Sequence, residues 1–502
     1  MGKFAKNSAH KVVATTEESW MTQLRRTQDD EPVASPAVAL PKVPTGIDGL
    51  DRVLKGGLPV GRTTLVWGGP GCGKSILGLE FLYHGARRGE AGILVAFEEP
   101  AAAVRQNALT LGWDLAALEQ AGKLFVLDGT PDPAAVLTGD FNLKGLLAIL
   151  SGQVQALQAR RVVLDASDML TGIFSDPRQE RAQFYMLHRW LLEQRLTTIL
   201  TLKASQAQEP LPGYAFLDFM ADCVLRLDQR NTRQLSTRRL QVIKYRGSSF
   251  ESNEYPFIIA EDGIHLLPIS SLALVPDPLG EVVSTGMPML DTILGGGYWR
   301  GSCFLIPGVS GSGKTTLAST FVQAACARGE KVLFLAFEES PQAIIANMLS
   351  PGIDLRPAYA DGSLRFLTAP PEAMGTEEHL FRALRTIHAF RPQMVVVDAL
   401  SASLRMGDEQ AAYEYAVRLL NICKAGGITC VVTSQLAREA DEYALGTARL
   451  SSLVDALILL GFSERGRTLY RTLLVQKARG VAHSHQYHEF QITSRGLSIT
   501  GA

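Results

Sequence analysis

Short apolar runs without polar alternation recur along this chain, each followed by a stretch with helical spacing. Cys303-Phe304-Leu305-Ile306 and Val395-Val396-Val397 are two such runs. An unbroken run of this kind suits a parallel strand buried on both faces rather than a half-solvated one. Leu317 to Arg328, Gln183 to Gln194 and Ala411 to Ala425 carry the helical pattern. Strands alternating with helices predict an α/β fold with mostly parallel, doubly wound sheets. No apolar run approaches the ~20 residues that span a bilayer, so no membrane association is expected.

The pattern occurs twice. Thr45-Gly46-Ile47-Asp48-Gly49-Leu50-Asp51 returns in Ser284 to Asp291, Ile93 to Glu99 in Val332 to Glu339, and Arg161 to Asp165 in Met394 to Asp398. Lys244-Tyr245-Arg246-Gly247 returns as Lys477-Ala478-Arg479-Gly480. The early landmarks share an offset of 240 residues (314 − 74) and the late ones 233 (398 − 165). Collinear landmarks with one net length change mark a tandem duplication. The expected organisation is a first domain over 41–265, a proline-bearing linker over 266–280 (Pro268, Pro276, Pro278) and a second domain over 281–502. Residues 1–40 mix charged with small polar residues and are expected to form a disordered extension, a solvated tail or a partner-binding segment.

Composition narrows the class. Of 502 residues, 46% are apolar and 20% charged, as in a soluble globular protein. A formal net charge of −1 provides no global field toward nucleic acid or an acidic membrane. The N-terminus lacks the apolar core of a secretory signal. Six scattered cysteines without a CxxC pair fit a reducing compartment, so a cytoplasmic location is expected.

Candidate chemistry sits at the strand ends. Gly308-Val309-Ser310-Gly311-Ser312-Gly313-Lys314-Thr315, with Thr316 after it, lies between an apolar run and a helix. Gly68-Gly69-Pro70-Gly71-Cys72-Gly73-Lys74-Ser75, with Ile76 after it, lies in the same frame. This is the context of a phosphate-binding loop: glycines let backbone N–H groups converge on phosphates, and the helix start adds positive charge. Lys74 and Lys314 are placed for the terminal phosphates of ATP, and the hydroxyls of Ser75 and Thr315 for Mg²⁺. Asp165 and Asp398 close buried runs beside those loops, where a metal-side carboxylate belongs; capping the next helix is the plainer role. Glu98-Glu99 and Glu338-Glu339 also end apolar runs. Neighbouring side chains at a strand end diverge, so one carboxylate of each pair can activate water or a hydroxyl while the other serves the metal. Lys244 with Arg246, and Lys477 with Arg479, place two cations on one strand face. They are either a salt-bridged surface or basic fingers for a neighbouring subunit's γ-phosphate. His483, His485 and His488 cluster without a nearby cysteine; polar edge residues are favoured over a metal site.

Taken together these residues resemble the KaiC family of circadian-clock ATPases, within the RecA-like class. Gly56-Gly57-Leu58-Pro59-Val60-Gly61-Arg62, Lys244-Tyr245-Arg246-Gly247-Ser248-Ser249 and Asn253-Glu254-Tyr255-Pro256-Phe257 extend the likeness over residues 40 to 500. The resemblance implies two tandem RecA-like P-loop NTPase domains in a double-ring homohexamer with ATP at subunit interfaces. It implies an ATPase first ring and a second ring that phosphorylates itself, with Ser451 and Ser452 as acceptors. Glu338 then corresponds to the base, Glu339 to a metal-side residue, and Glu98 and Glu99 to the water-activating pair. Lys244, Tyr245, Arg246, Lys477, Ala478 and Arg479 correspond to the stretch that reaches a neighbour's nucleotide, and Arg238 and Arg471 to further interface arginines. Several positions depart from the family pattern: the acceptors are Ser-Ser, Gly446 replaces a threonine, and Pro351 replaces a tryptophan near the base. The chain ends at Ala502 without the long tail through which a KaiA activator works, so KaiA is not an expected partner, whereas the resemblance leaves a KaiB-like partner open. Two other functions fit the same core: a nucleotide-gated protein-binding platform, and a DNA-dependent ATPase using clusters such as Arg230-Asn231-Thr232-Arg233 and Arg238-Arg239.

Overall fold

The computed structural model describes residues 40–130, 143–170, 177–204, 215–232, 235–266, 280–406, 409–436 and 449–499. The extension up to residue 39, linker residues 267–279, Arg233 and Gly446 lie outside the described residues.

Each half is built on one nine-stranded sheet. In the first, the central strand Thr63–Gly68 is followed outward by Thr197–Lys203, Arg161–Asp165, Gly92–Ala96 and Leu124–Asp128, all parallel. On its other side Cys223–Thr232 is parallel to it, and Leu235–Tyr245, Glu254–Ala260 and Gly263–Leu266 then continue antiparallel. The second half repeats the order around Cys303–Gly308, with Thr429–Gln435, Met394–Asp398, Val332–Ala336 and Leu364–Thr368 on one side. Ala456–Arg465, Thr468–Ala478, His488–Thr493 and Gly496–Ile499 complete the other side. The sheets are thus mixed but mostly parallel, the RecA-like α/β arrangement expected.

Unalternated apolar strands arise because helices cover both faces. In the first half Val66, Leu94 and Val163 pack with Leu77 and Phe81 of the helix after the glycine loop, while Leu65, Ile93 and Val162 pack with Leu147, Leu150 and Leu187 behind the sheet. The second half has the same two cores. Burial of each such side chain contributes roughly 1.5–3 kcal/mol. The repeated Thr-Gly turn also gains a physical reason. The Thr45 backbone N–H and hydroxyl both donate to Asp51 Oδ1 at 2.6 Å, and Thr285 does the same to Asp291 at 2.8 and 2.7 Å. Among the described residues no helix is long and apolar enough to cross a membrane.

Candidate nucleotide-binding sites

The central strand of each half ends in a glycine loop that turns into a helix, Lys74–Arg87 or Lys314–Ala327. Gly73 and Gly313 precede those helices at φ 99°, the left-handed region that disfavours any side chain. A Cβ on Gly68 would lie 2.2 Å from the Leu227 carbonyl oxygen, and one on Gly308 2.6 Å from that of Leu460. The loops therefore need glycine on both counts. Cys72 and Ser312 fill the inside of the turns; Ser312 Oγ donates to the Val309 carbonyl at 2.8 Å, and burial pushes the Cys72 thiol up from its ordinary pKa. Lys74 Nζ donates to the carbonyls of Gly68 and Gly69 at 2.9 and 2.8 Å. Lys314 Nζ spans Gly308 and Val309 at 2.9 Å each. Both ammonium groups lie folded across the loop where a phosphate would meet them. Burial lowers the Lys314 pKa, with Asp398 and Glu338 opposing the shift.

Asp398 emerges at the C-terminal end of its strand beside the loop. It accepts a hydrogen bond from Thr315 Oγ1 at 2.9 Å on one oxygen and one from Thr433 Oγ1 on the other. Asp165 accepts from Thr201 Oγ1 at 2.6 Å. A hydroxyl and a carboxylate side by side form a hard oxygen pair that fits Mg²⁺. The paired glutamates diverge. Glu98 meets Lys203 Nζ at 2.8 Å, while Glu99 accepts from Asn107 Nδ2 at 3.1 Å. Glu338 meets Arg405 Nη2 at 3.3 Å, while Glu339 accepts from Asn347 Nδ2 at 3.0 Å.

The remaining cations fall into two groups set by strand register. Gly68 is level with Leu227, which is level with Leu240, so Arg238 sits at the loop end of its strand. Its Nε donates to the Gly71 carbonyl of its own loop at 3.3 Å, as Arg471 Nε does to Gly311. Lys244 and Arg246 lie at the other end of that strand, about 20 Å away at ~3.3 Å per residue. Lys244 Nζ donates to the carbonyls of Asp218 and Ala221, and Arg246 Nη2 to that of Phe219 at 2.7 Å. Tyr245 is buried, its hydroxyl donating to the Gly57 carbonyl at 2.7 Å, and burial raises its pKa. In the second half Lys477 Nζ donates to the carbonyls of Ser451 and Val454, and Arg479 Nη2 to that of Ser452 at 2.9 Å; Ala478 between them is level with Ala456. Ser452 is exposed and its Oγ donates to the Arg449 carbonyl at 2.9 Å.

Two other features resolve differently. The rings of His483 and His485 meet edge-on, 4.6 Å between centroids. Among the described residues no three His, Cys, Asp or Glu side chains gather for a metal ion. Of the basic clusters, Arg230 pairs with Asp228 and Glu254 at 2.7 Å each, and Arg239 with Glu254 at 3.5 Å, so their charge is largely met within the fold. Sequence reasoning missed Thr201 and Thr433, Asn107 and Asn347, and the cations Lys203 and Arg405. The asparagines share the offset of 240 residues (347 − 107), so the repeat itself carried that signal. Lys203 is level with Gly68 where Gln435 is level with Gly308, so no repeat pointed to it.

Comparison with known proteins agrees with this geometry. The family model described as "ATPase: KaiC" matches twice, over residues 43–271 and 283–502. Circadian clock protein KaiC2 from Synechocystis sp. is 38% identical over 93% of this chain and 83% of its own length. Circadian clock oscillator protein KaiC from Parathermosynechococcus lividus is 33% identical over 92% of this chain and 85% of its own. The oscillator protein KaiC of Synechococcus elongatus is 33% identical over 92% and 89% respectively.

Proposed function

The chain belongs to the KaiC family of ATPases, and from that premise we propose that it is an ATP-hydrolysing, self-phosphorylating Ser/Thr kinase. ATP lies between subunits of a hexameric double ring, Ser451 and Ser452 are the acceptors, and the assembly serves as a timing or signalling hub, as the relatives' names suggest. The carrying observation is the grip of Lys477 and Arg479 on the peptide of Ser451 and Ser452, at the end of the sheet away from their own loop. Arg479 also meets Asp455 at 3.7 Å, and cations at that end of the sheet lie beyond reach of phosphates on their own loop, which favours a neighbour's nucleotide. A neighbour's loop brought to them would meet the two serines together with the cations.

In this reading the loop N–H groups and Lys314 bind the β- and γ-phosphates, and Thr315 and Asp398 hold Mg²⁺. The metal, when bound, offsets phosphate charge. Glu338 takes the proton from the neighbour's serine hydroxyl. The serine oxygen forms a bond to the γ-phosphorus as the bond from that phosphorus to the β–γ bridging oxygen breaks, and ADP leaves. Arg479 and Lys477 meet the charge on the transferring group. In the first half Glu98 deprotonates water instead, with Ser75 and Asp165 at the metal and Lys244 and Arg246 facing the neighbour. The test is assembly: light scattering should give a monomer or small species without nucleotide and a hexamer with saturating ATP. A monomer at saturating ATP contradicts the proposal.

A further inference from the structure

Between the halves lies a cavity of about 860 Å³, lined by no residue of either glycine loop, with Asp48, Arg52 and His265 of the first half on one wall and Phe381, Arg391 and Arg418 of the second on the other. Arg385 completes its rim. Its two carboxylates are already engaged: His265 Nδ1 faces Asp48 at 3.3 Å and Nε2 faces Asp262 at 2.8 Å, the ring tilted against Phe381 with 4.6 Å between centroids. Three of its four arginines are not. Among the described residues Arg52, Arg385 and Arg391 form no ion pair, although Arg52 lies near Asp48 and Arg385 near Asp262. Arg418 is only 7% exposed, meets Glu414 at 3.5 Å, and its buried Nε has no hydrogen-bond partner. Arg418 lines the cavity together with these three arginines, so the space carries surplus positive charge.

We propose that this cavity is a third anion site, separate from the two glycine loops, that takes a phosphate-bearing small molecule. Arginine's planar fork matches phosphate oxygens, and four arginines converge on this one space. Leu384, Ile387, Ile422 and Phe381 provide an apolar wall for an organic group such as a nucleoside, and the volume is within the range of small-molecule sites. A ligand there would touch both halves at once.

The test uses the full chain with its glycine loops saturated by a non-hydrolysable ATP analogue and Mg²⁺, probed with ³²P-labelled pyrophosphate by equilibrium dialysis. One pyrophosphate per chain is expected to bind without displacing the analogue. Arg52→Glu with Arg391→Glu, both at exposed positions, should weaken it by about tenfold or more while analogue binding is unchanged. Arg418→Lys should weaken it while keeping a buried cation. Unlabelled ADP competing better than unlabelled pyrophosphate identifies a nucleotide as the preferred form, and the reverse identifies an inorganic or small phosphorylated one. No pyrophosphate bound, or binding indifferent to the charge reversals, overturns the proposal.

Discussion

In the first half Asp165 takes a hydroxyl bond from Thr201 and Glu98 is tied to Lys203 at 2.8 Å. In the second, Thr315 and Thr433 bond the two oxygens of Asp398, and Glu338 meets Arg405 at a longer 3.3 Å. The strands, loops and register are otherwise shared. One scaffold therefore holds two arrangements: in the second half the loop hydroxyl of Thr315 is hydrogen-bonded to the strand-end carboxylate of Asp398, while in the first Asp165 bonds Thr201 and Glu98 is held more closely by its cation than Glu338 is. A second contrast lies beneath the sheets. Arg161, 1% exposed, is held by Glu90 and the carbonyls of Phe81 and Pro44, whereas Met394 occupies the same register position in the second half. There the charge has moved to the edge, where Arg300 and Arg328 share Glu330 at 2.8 Å each.

Each contrast can be broken by substitution. The largest effect is expected from Glu338→Gln, which removes the proposed base: phosphorylation of Ser451 and Ser452 should fall by about 10²–10⁴-fold while hydrolysis in the first half persists. Equal labelling of variant and parent by phosphopeptide mass spectrometry would remove Glu338 from that role. Next, Arg161→Met copies the second half into the first but strands Glu90. Calorimetry should show about 3 kcal/mol of lost stability, confined to the transition of the first half. A shift in both transitions would mean the halves unfold as one unit.

Smaller effects sharpen the comparison. Lys203→Gln gives the first half the residue that its repeat carries and frees Glu98; ATP turnover should rise about two- to fivefold, the scale of a partly exposed ion pair. A drop in turnover would show that Lys203 serves the phosphates instead. The smallest effect concerns the joint between halves. Burial opposes the charge on His265, but hydrogen bonds to Asp48 and Asp262 outweigh it and raise the pKa above the ordinary value. A raised folded pKa gives stability that is fully present below the unfolded value of about 6.5 and is lost as pH rises through the folded one. His265→Gln should therefore cost on the order of 1 kcal/mol of stability at about pH 6, read as a lowered Tm, and leave Tm nearly unchanged at about pH 9. Equal losses at both pH values would assign the effect to packing on Phe381.

Much of this was legible in the chain. Unalternated apolar runs such as Val395 to Val397 gave away strands covered on both faces, and the duplicated loops located the ends at which chemistry gathers. Glycines at Gly73 and Gly313 were readable because backbone geometry leaves no substitute. The partners of the acidic groups were not readable. Thr433 sits inside an apolar strand, where a hydroxyl reads as a β-branched core residue until register sets it against Asp398. Lys203 and Arg405 come from non-equivalent positions, and Arg418 faces a cavity that exists only once both halves are in place.

In the proposed division of labour the second half moves phosphate to Ser451 and Ser452 of a neighbouring subunit while the first spends ATP on water. Intact-mass and phosphopeptide spectrometry after incubation with ATP and Mg²⁺, beside the Ser451→Ala/Ser452→Ala variant, tests it most directly. Phosphate on Ser451 and Ser452 in the parent, none in the variant, and ATP hydrolysis in both are expected. Hydrolysis without phosphate on either serine of the parent would contradict it.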